Sequence, residues 1–202
     1  MATYQNSRYN IALPSGSGGS LVHIKTLTAS SSGTLSFVDG ASDVVLDSTY
    51  RTYIFKFINI HPSADSSDLG FQVDTGTNTN YNLSITSSAF QAGHAEDNSE
   101  TALGYETGDD QANGTGFQMI TQTNAGNAND ESSSGELILF NPSSTTFVKH
   151  FISRLNTTWS ANGTFEKYAA GYINNTAAVT RIQFKMDSGN IDSGLIKLYG
   201  IA

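Results

Sequence analysis

The chain has 202 residues, of which 26 are Ser, 22 are Thr and 17 are Asn, while only 14% are charged. This composition disfavours a helical protein, because Thr, Ser and Asn are poor helix formers, and 38% hydrophobic residues disfavour disorder. The net charge of −8 argues against a binder that grips nucleic acid through a basic surface, and the lack of cysteine excludes disulfides and thiolate metal sites.

The first twenty residues differ from the rest of the chain. A Gly/Ser run over residues 15–20 is typical of a flexible hinge. Before it, four aromatic or aliphatic side chains stand in a polar segment: Tyr4, Tyr9, Ile11 and Leu13. Two interpretations stay open, a frayed terminus or an arm that docks on a partner protein through these four side chains. We therefore divide the chain into an arm with its hinge, residues 1–20, and one β-sandwich domain, residues 21–202.

Short runs of alternating apolar and polar residues follow the hinge, as expected of strands. The first two are Leu21–Ala29 and Thr34–Val38, and the strongest is Tyr50–Ile60. Apolar residues occur on both faces of Tyr50–Ile60, which predicts a central strand with both faces at least partly covered. The runs Leu69–Val73 and Tyr81–Ile85 then flank a turn-like segment and predict a hairpin.

The acidic segment Ser87–Asn113 has no clear period. It leaves two alternatives, a short helix around Phe90–Glu106 or a long loop on the outer surface. Five further alternating runs follow: Glu136–Asn141, Thr146–Leu155, Tyr168–Ile173, Arg181–Met186 and Gly194–Ile201. The last run ends close to the C-terminus, so we expect that end to be held in a sheet. About 10–11 strands without a strong helix predict an all-β fold, an antiparallel β-sandwich of jelly-roll type with an N-terminal arm.

No motif for catalysis or cofactor binding stands out. The four histidines (His23, His61, His94 and His150) form no HExxH pattern, and the chain has no nucleophile elbow or Walker-type phosphate loop. We therefore predict no catalytic residues, no cofactor and no metal ligands. Acidic residues near His94 and near His61 could still hold a divalent ion, but they lack EF-hand spacing, and acidic loops produce such groups by chance. The carboxylates cannot be paired in space from sequence.

Trp159 is the single tryptophan and lies in the polar stretch Asn156–Gly163, which we interpret as a connection between strands. An exposed tryptophan there could stack on a sugar ring, and the alternative is a half-buried residue that caps the core. No stretch approaches the roughly 18 apolar residues of a membrane-spanning helix, and the N-terminus has no apolar signal core. We therefore expect a protein made in a cytoplasm, without membrane insertion.

Three parts of the chain together resemble a known family: Phe57–Asp65 followed by Phe71–Val73, then Leu137–Arg154, then Phe184–Ile201. They resemble small virion-associated structural proteins of tailed bacteriophages, many of them aquatic. The resemblance spans roughly residues 24–202 and leaves out the arm. It implies a β-sandwich on the outside of a phage particle, with no catalytic residues. Its motifs look like strand-and-turn signatures, such as the turn at Asn141–Ser144.

Three functions remain as alternatives. The first is a capsid decoration or cement protein, whose arm docks on the capsid and whose sandwich braces or projects from the head. The second is a tail fibre, adaptor or receptor-binding component that recognises host-surface glycans. The third is a carbohydrate-binding or carbohydrate-active module on the same fold. A fibre shaft would need more than these 202 residues, which favours a decoration protein or a short adaptor. The expected partners are phage capsid or tail proteins, in a homotrimer on the virion surface.

Overall fold

The computed structural model describes residues 20–121 and 125–202. Within these ranges there is no helix, and thirteen strands form two antiparallel sheets. The strands are β1 (Leu21–Ser32), β2 (Leu35–Val38), β3 (Thr52–Pro62), β4 (Leu69–Thr75), β5 (Ile85–Ala95), β6 (Thr101–Tyr105), β7 (Ala112–Gly114), β8 (Gln118–Met119), β9 (Ser133–Phe140), β10 (Lys149–Trp159), β11 (Gly163–Ile173), β12 (Val179–Met186) and β13 (Ile191–Ile201). The prediction of an all-β antiparallel sandwich is confirmed, with more strands than the sequence indicated.

The larger sheet has the order β1-β13-β3-β9-β10-β11-β5-β6, with β7 paired to β5, and the smaller sheet has the order β2-β12-β4-β8. Eight of the strands form four pairs that are consecutive in the chain and have one member in each sheet: β1/β2, β3/β4, β8/β9 and β12/β13. When these eight are counted in chain order, the first pairs with the last, the second with the seventh, the third with the sixth and the fourth with the fifth. The other five strands extend the larger sheet at one side.

The core lies between the two sheets, and aromatic rings dominate it. On β3 the inward side chains are Tyr53, Phe55 and Phe57, all at most 2% exposed. The ring of Phe184 on β12 packs edge to face against Phe55 at 5.4 Å and against Phe57 at 5.3 Å between centroids. Such pairs add about 0.5–1.5 kcal/mol each beyond the burial of apolar area. Strand β3 lies between β13 and β9, so the prediction of a central strand is confirmed, as is the prediction that the C-terminus is held in a sheet.

The predicted hairpin of Leu69–Val73 and Tyr81–Ile85 is wrong. Strand β4 pairs with β12 and β8 in the smaller sheet, whereas β5 belongs to the larger sheet. The chain turns between them because the carboxylate of Asp74 accepts a hydrogen bond from the backbone N–H of Tyr81 (3.0 Å), and Tyr81 has a positive φ of 48°. Residues 76–84 therefore connect the two sheets and form no strand of their own.

The segment Ser87–Asn113 is neither a helix nor a long loop, since it holds most of β5 and all of β6. Its inward positions include Ala89 and Ala95, and at Gly93 the ring of Phe165 occupies the space that a Cβ would need. Because these residues are small, the segment shows no clear alternation of large apolar and polar residues from which a strand could be predicted. No helix in the described ranges is long and apolar enough to span a membrane.

Candidate functional site

One row of side chains crosses seven strands on the outward face of the larger sheet. Cross-strand partners in register follow one another from β13 to β6: Lys197, Lys56, Glu136, Arg154, Tyr168, Phe90 and Tyr105. Directly paired residues on neighbouring strands point to the same face of a sheet. The outward face thus changes from charged at its centre to aromatic at the β6 edge.

The charged part of the row is held by two ion pairs, Lys56 with Glu136 and Arg154 with Glu166. The hydrogen bond from Arg154 lowers the pKa of the Glu166 carboxyl and raises that of the guanidinium. The guanidinium carbon of Arg154 also lies 5.3 Å from the ring centroid of Tyr168, in a cation–π arrangement. Exposed ion pairs contribute little to stability. Of the two, the Arg154–Glu166 pair lies beside the aromatic rings, where Arg154 is within cation–π distance of Tyr168.

The aromatic part consists of Phe90, Leu103, Tyr105 and Tyr168, which we call the aromatic patch. The rings of Phe90 and Tyr168 stack with centroids 4.7 Å apart and an angle of 7° between their planes. Leu103 is 81% exposed and Tyr105 is 54% exposed. The hydroxyl of Tyr105 donates to the carboxylate of Asp110 (2.8 Å), which raises the pKa of the phenol. Clustered exposed apolar side chains on a sheet face mark an interaction site more often than an ordinary surface.

A shallow depression that contains several hydrogen-bonding side chains adjoins the patch. It is lined by Ala92, Gly93, His94, Asn156, Thr164 and Glu166. The side-chain amide of Asn156 donates to the hydroxyl of Thr164 (2.6 Å) and to the carbonyl of Phe165 (3.2 Å). Hydrogen-bonding groups beside an aromatic face form a surface that can contact a protein or a sugar.

No protein-family model, curated protein or solved structure matches this chain. The chemistry of the outward face is therefore the guide to its role.

The side chains expected to dock on a partner, Tyr4, Tyr9, Ile11 and Leu13, lie outside the described residues. Trp159 is the last residue of β10, so the interpretation of Asn156–Gly163 as a connection is wrong for its first half. The hydrogen-bonded ladder with β11 continues to the pair Trp159–Gly163. The indole ring is half-buried and packs edge to face on Phe165 at 5.3 Å. Its contact with a glycan stays a prediction.

The acidic groups considered for ion binding do not converge. In residues 20–121 and 125–202, no three His, Asp or Glu side chains come together in a way that could hold a metal ion. The ring Nδ1 of His94 lies 2.7 Å from the carbonyl oxygen of Ala95, and the Asp97 carboxylate accepts from the N–H of Ser99. The Nδ1 of His61 lies 2.7 Å from the carbonyl oxygen of Glu131. Local hydrogen bonds thus occupy these groups.

Sequence reasoning missed the aromatic patch. Phe90 and Leu103 both lie in the segment without a clear period. Nothing in the sequence indicated that Tyr168 would lie beside them. The available signal was the alternation of Phe90, Ala92 and His94, which places all three on one face of a strand.

Proposed function

We propose that the protein is a non-enzymatic structural protein on the exterior of a tailed-phage particle, a capsid decoration or cement protein. The row of side chains across the outward face of the larger sheet is the observation that carries this proposal, because it offers a broad contact surface for a capsid protein. The resemblance of residues 24–202 to virion-associated proteins supports the phage setting.

The strand pairing supports a jelly-roll fold. Pairing first with last, second with seventh, third with sixth and fourth with fifth is what a hairpin-like ribbon of eight strands gives when it is rolled into two sheets. Jelly rolls of this kind occur in viral capsid proteins and in lectins. Because one fold hosts many functions, the pairing supports the proposal only together with the surface.

The composition of the surface fits a protein partner. Interfaces are enriched in Tyr, Phe and Arg at their centres and have polar rims. Phe90, Tyr105 and Tyr168 provide the aromatic centre, and Arg154 and Glu166 provide charged neighbours that restrict the partner's orientation. In this proposal the arm, through Tyr4, Tyr9, Ile11 and Leu13, makes a second contact with the capsid lattice. We further propose a homotrimer, which light scattering of the purified chain would test.

A second candidate function is recognition of a host-surface glycan by a tail component. The exposed ring edges of Phe90 and Tyr168 favour it, because apolar rings beside the polar side chains of Asn156 and Glu166 suit the C–H groups and hydroxyls of a sugar. In this alternative the same face meets a carbohydrate and not a capsid protein.

Immunogold electron microscopy of whole virions, with an antibody against this protein, separates the two. Label over the head is the expected result for a decoration protein. Label confined to the tail would overturn the decoration proposal in favour of a tail adaptor or receptor-binding component, and a glycan array would follow. No label on any particle would overturn both and leave a carbohydrate-binding or carbohydrate-active module as the next hypothesis.

A further inference from the structure

Lys167 is a lysine in the protein interior. Strand β11 alternates, so Lys167 points inward with Phe165 and Ala169, and its side chain is fully buried. Lysine is almost never fully buried unless it is paired, because its ammonium loses hydration. The partners of Lys167 therefore decide what this position does.

The amine of Lys167 donates hydrogen bonds to two oxygen atoms. The Nζ of Lys167 donates to the carboxylate of Asp109 and to the carbonyl oxygen of Thr121 (2.8 Å). The Asp109 side chain is only 10% exposed. Gln118 fixes the Asp109 backbone, because its side-chain amide donates to the Asp109 carbonyl (2.8 Å). A lysine nitrogen and an aspartate carboxyl are thus held against each other away from bulk water.

A second buried carboxyl is linked to this pair through Thr121, whose carbonyl oxygen accepts from Lys167. Asp68 is 2% exposed, and the hydroxyl of Thr121 lies 3.4 Å from its Oδ1. The pKa of Asp68 is raised to about 7, mainly by burial; the nearby Lys167 lowers it, and the carboxylates of Asp109 and Asp187 raise it. A carboxyl that titrates near neutral pH can both take up and deliver a proton.

We propose that Lys167 and Asp109 join in an intramolecular isopeptide bond, with Asp68 as the proton carrier. Proton transfer within the ion pair gives a neutral amine and a carboxylic acid. The nitrogen lone pair then forms a bond to Cγ of Asp109, and Asp68 passes a second proton from the nitrogen to the departing hydroxyl. The Cγ–O bond breaks and one water leaves. The ammonium and the carboxylate become a neutral amide, so atoms and charge balance without any other reactant.

The chain offers a comparison in its other buried lysine. Lys149 on β10 is also fully buried, and its Nζ donates to the backbone carbonyl of Asn175 (3.1 Å). Within the described residues it forms no ion pair with a carboxylate. Burial lowers the pKa of Lys149, yet there is no carboxyl for it to attack. The two lysines therefore do not differ in burial. They differ in their partners, because only Lys167 is paired with a carboxylate among the described residues.

The bond would link β11 to the chain between β6 and β7, across 58 positions of sequence. A cross-link over a long segment restricts the unfolded chain, as a disulfide does. This chain has no cysteine and can make no disulfide. The cross-link lies in the protein interior and does not depend on the proposed phage function.

The test is the intact mass of the purified full-length protein, measured after denaturation. The expected mass is lower than the sequence mass by one water molecule, and digestion should yield one branched peptide that contains residues 109 and 167. The full sequence mass would overturn the proposal and leave an ordinary ion pair. A water loss that maps elsewhere, for example to cyclisation at Asp39–Gly40, would overturn it as well.

Three substitutions test the roles of Lys167 and Asp68 in the cross-link separately from the effect of a buried lysine. Lys167→Arg keeps a positive charge and donors toward Asp109, but guanidinium stays protonated and is no nucleophile, so it should have its full sequence mass. Asp68→Asn should also show the full mass while it keeps the size of the side chain, and a retained water loss would overturn the role of Asp68. Lys149→Met is the matched control and should still lose one water. Circular dichroism verifies that each variant folds. If a variant does not fold, the mass of the wild-type protein alone decides the proposal.

Discussion

The ring of Phe90 lies parallel to the ring of Tyr168 on the neighbouring strand, with an angle of 7° and a centroid distance of 4.7 Å. Phe90 nevertheless remains 46% exposed, and Tyr105 continues the row on its other side. An aromatic pair that leaves so much apolar area in water is poorly explained by folding alone, which would bury it. It is well explained by a partner that covers it.

Phe90→Ala should weaken binding of the purified protein to particles that lack it. If Phe90 is a central anchor of the interface, binding should fall tenfold or more, a change of about 1.4 kcal/mol or greater. Under the proposed decoration function, a sedimentation assay with phage particles that lack the protein measures it. Because the ring is about half exposed, the free energy of unfolding should fall by less than the roughly 3–5 kcal/mol lost with a fully buried ring.

Phe147→Ala is the matched control for that experiment. Phe147 is 69% exposed but lies in the connection before β10, away from the aromatic patch. Its removal should leave particle binding unchanged. Equal losses of binding in both variants would mean that general hydrophobicity and not the aromatic patch holds the protein on the particle.

Phe55→Ala should destabilise the fold strongly. The ring is fully buried and packs edge to face against Phe37 and Phe184, which joins both sheets. Loss of a buried aromatic ring costs about 3–5 kcal/mol. Chemical denaturation of the variant measures this, with Phe147→Ala expected within about 0.5 kcal/mol of wild type. An unchanged unfolding midpoint for Phe55→Ala would place the core elsewhere.

The sequence predicted those elements whose large apolar residues alternate. Strand β3 was recognisable because Tyr53, Phe55 and Phe57 share one face, and β13 was recognisable in the same way. Strand β5 was not, because alanine and glycine occupy many of its positions and give little hydrophobic signal. The β-sandwich class could thus be predicted from the alternation of residues within single strands, whereas the number of strands could not.

The candidate surface could not be predicted, because it depends on which strands pair and in which register. Tyr168 meets Phe90 only because β11 lies against β5, although the two strands are far apart in the sequence. A shift by one residue would move either ring to the opposite face. The buried contact of Lys167 with Asp109 arises in the same way, between a strand and a distant connection.

Deletion of residues 1–20 should leave a folded β-sandwich that no longer joins particles efficiently. The reason is the predicted contact of Tyr4, Tyr9, Ile11 and Leu13 with the capsid. Incorporation is measured by quantifying the truncated protein in purified virions, and circular dichroism verifies its fold. Full incorporation of the truncated protein would show that the arm has no docking role, and would leave the sheet face as the contact.

The stability of the protein should fall as the pH rises from about 4 to about 7, owing to Asp68. Its pKa is raised by burial from 3.8 to about 7, so the folded protein holds this proton over a range in which the unfolded chain has released it. A group that binds its proton more tightly in the folded state loses its contribution as the pH rises. A rise in pKa from 3.8 to about 7 corresponds to about 4 kcal/mol over the window.

Two measurements test the role of Asp68. Carbon NMR of the side-chain carboxyl should show a titration midpoint well above 3.8 in the folded protein, with or without the cross-link, because burial is the main cause of the raised pKa. Unfolding free energies at several pH values should then fall more steeply for wild type than for Asp68→Asn, whose amide does not titrate. A missing cross-link in the variant would shift its stability by a nearly constant amount, whereas the difference in slope reports the carboxyl. Parallel pH profiles, or a midpoint near 4, would contradict the raised pKa.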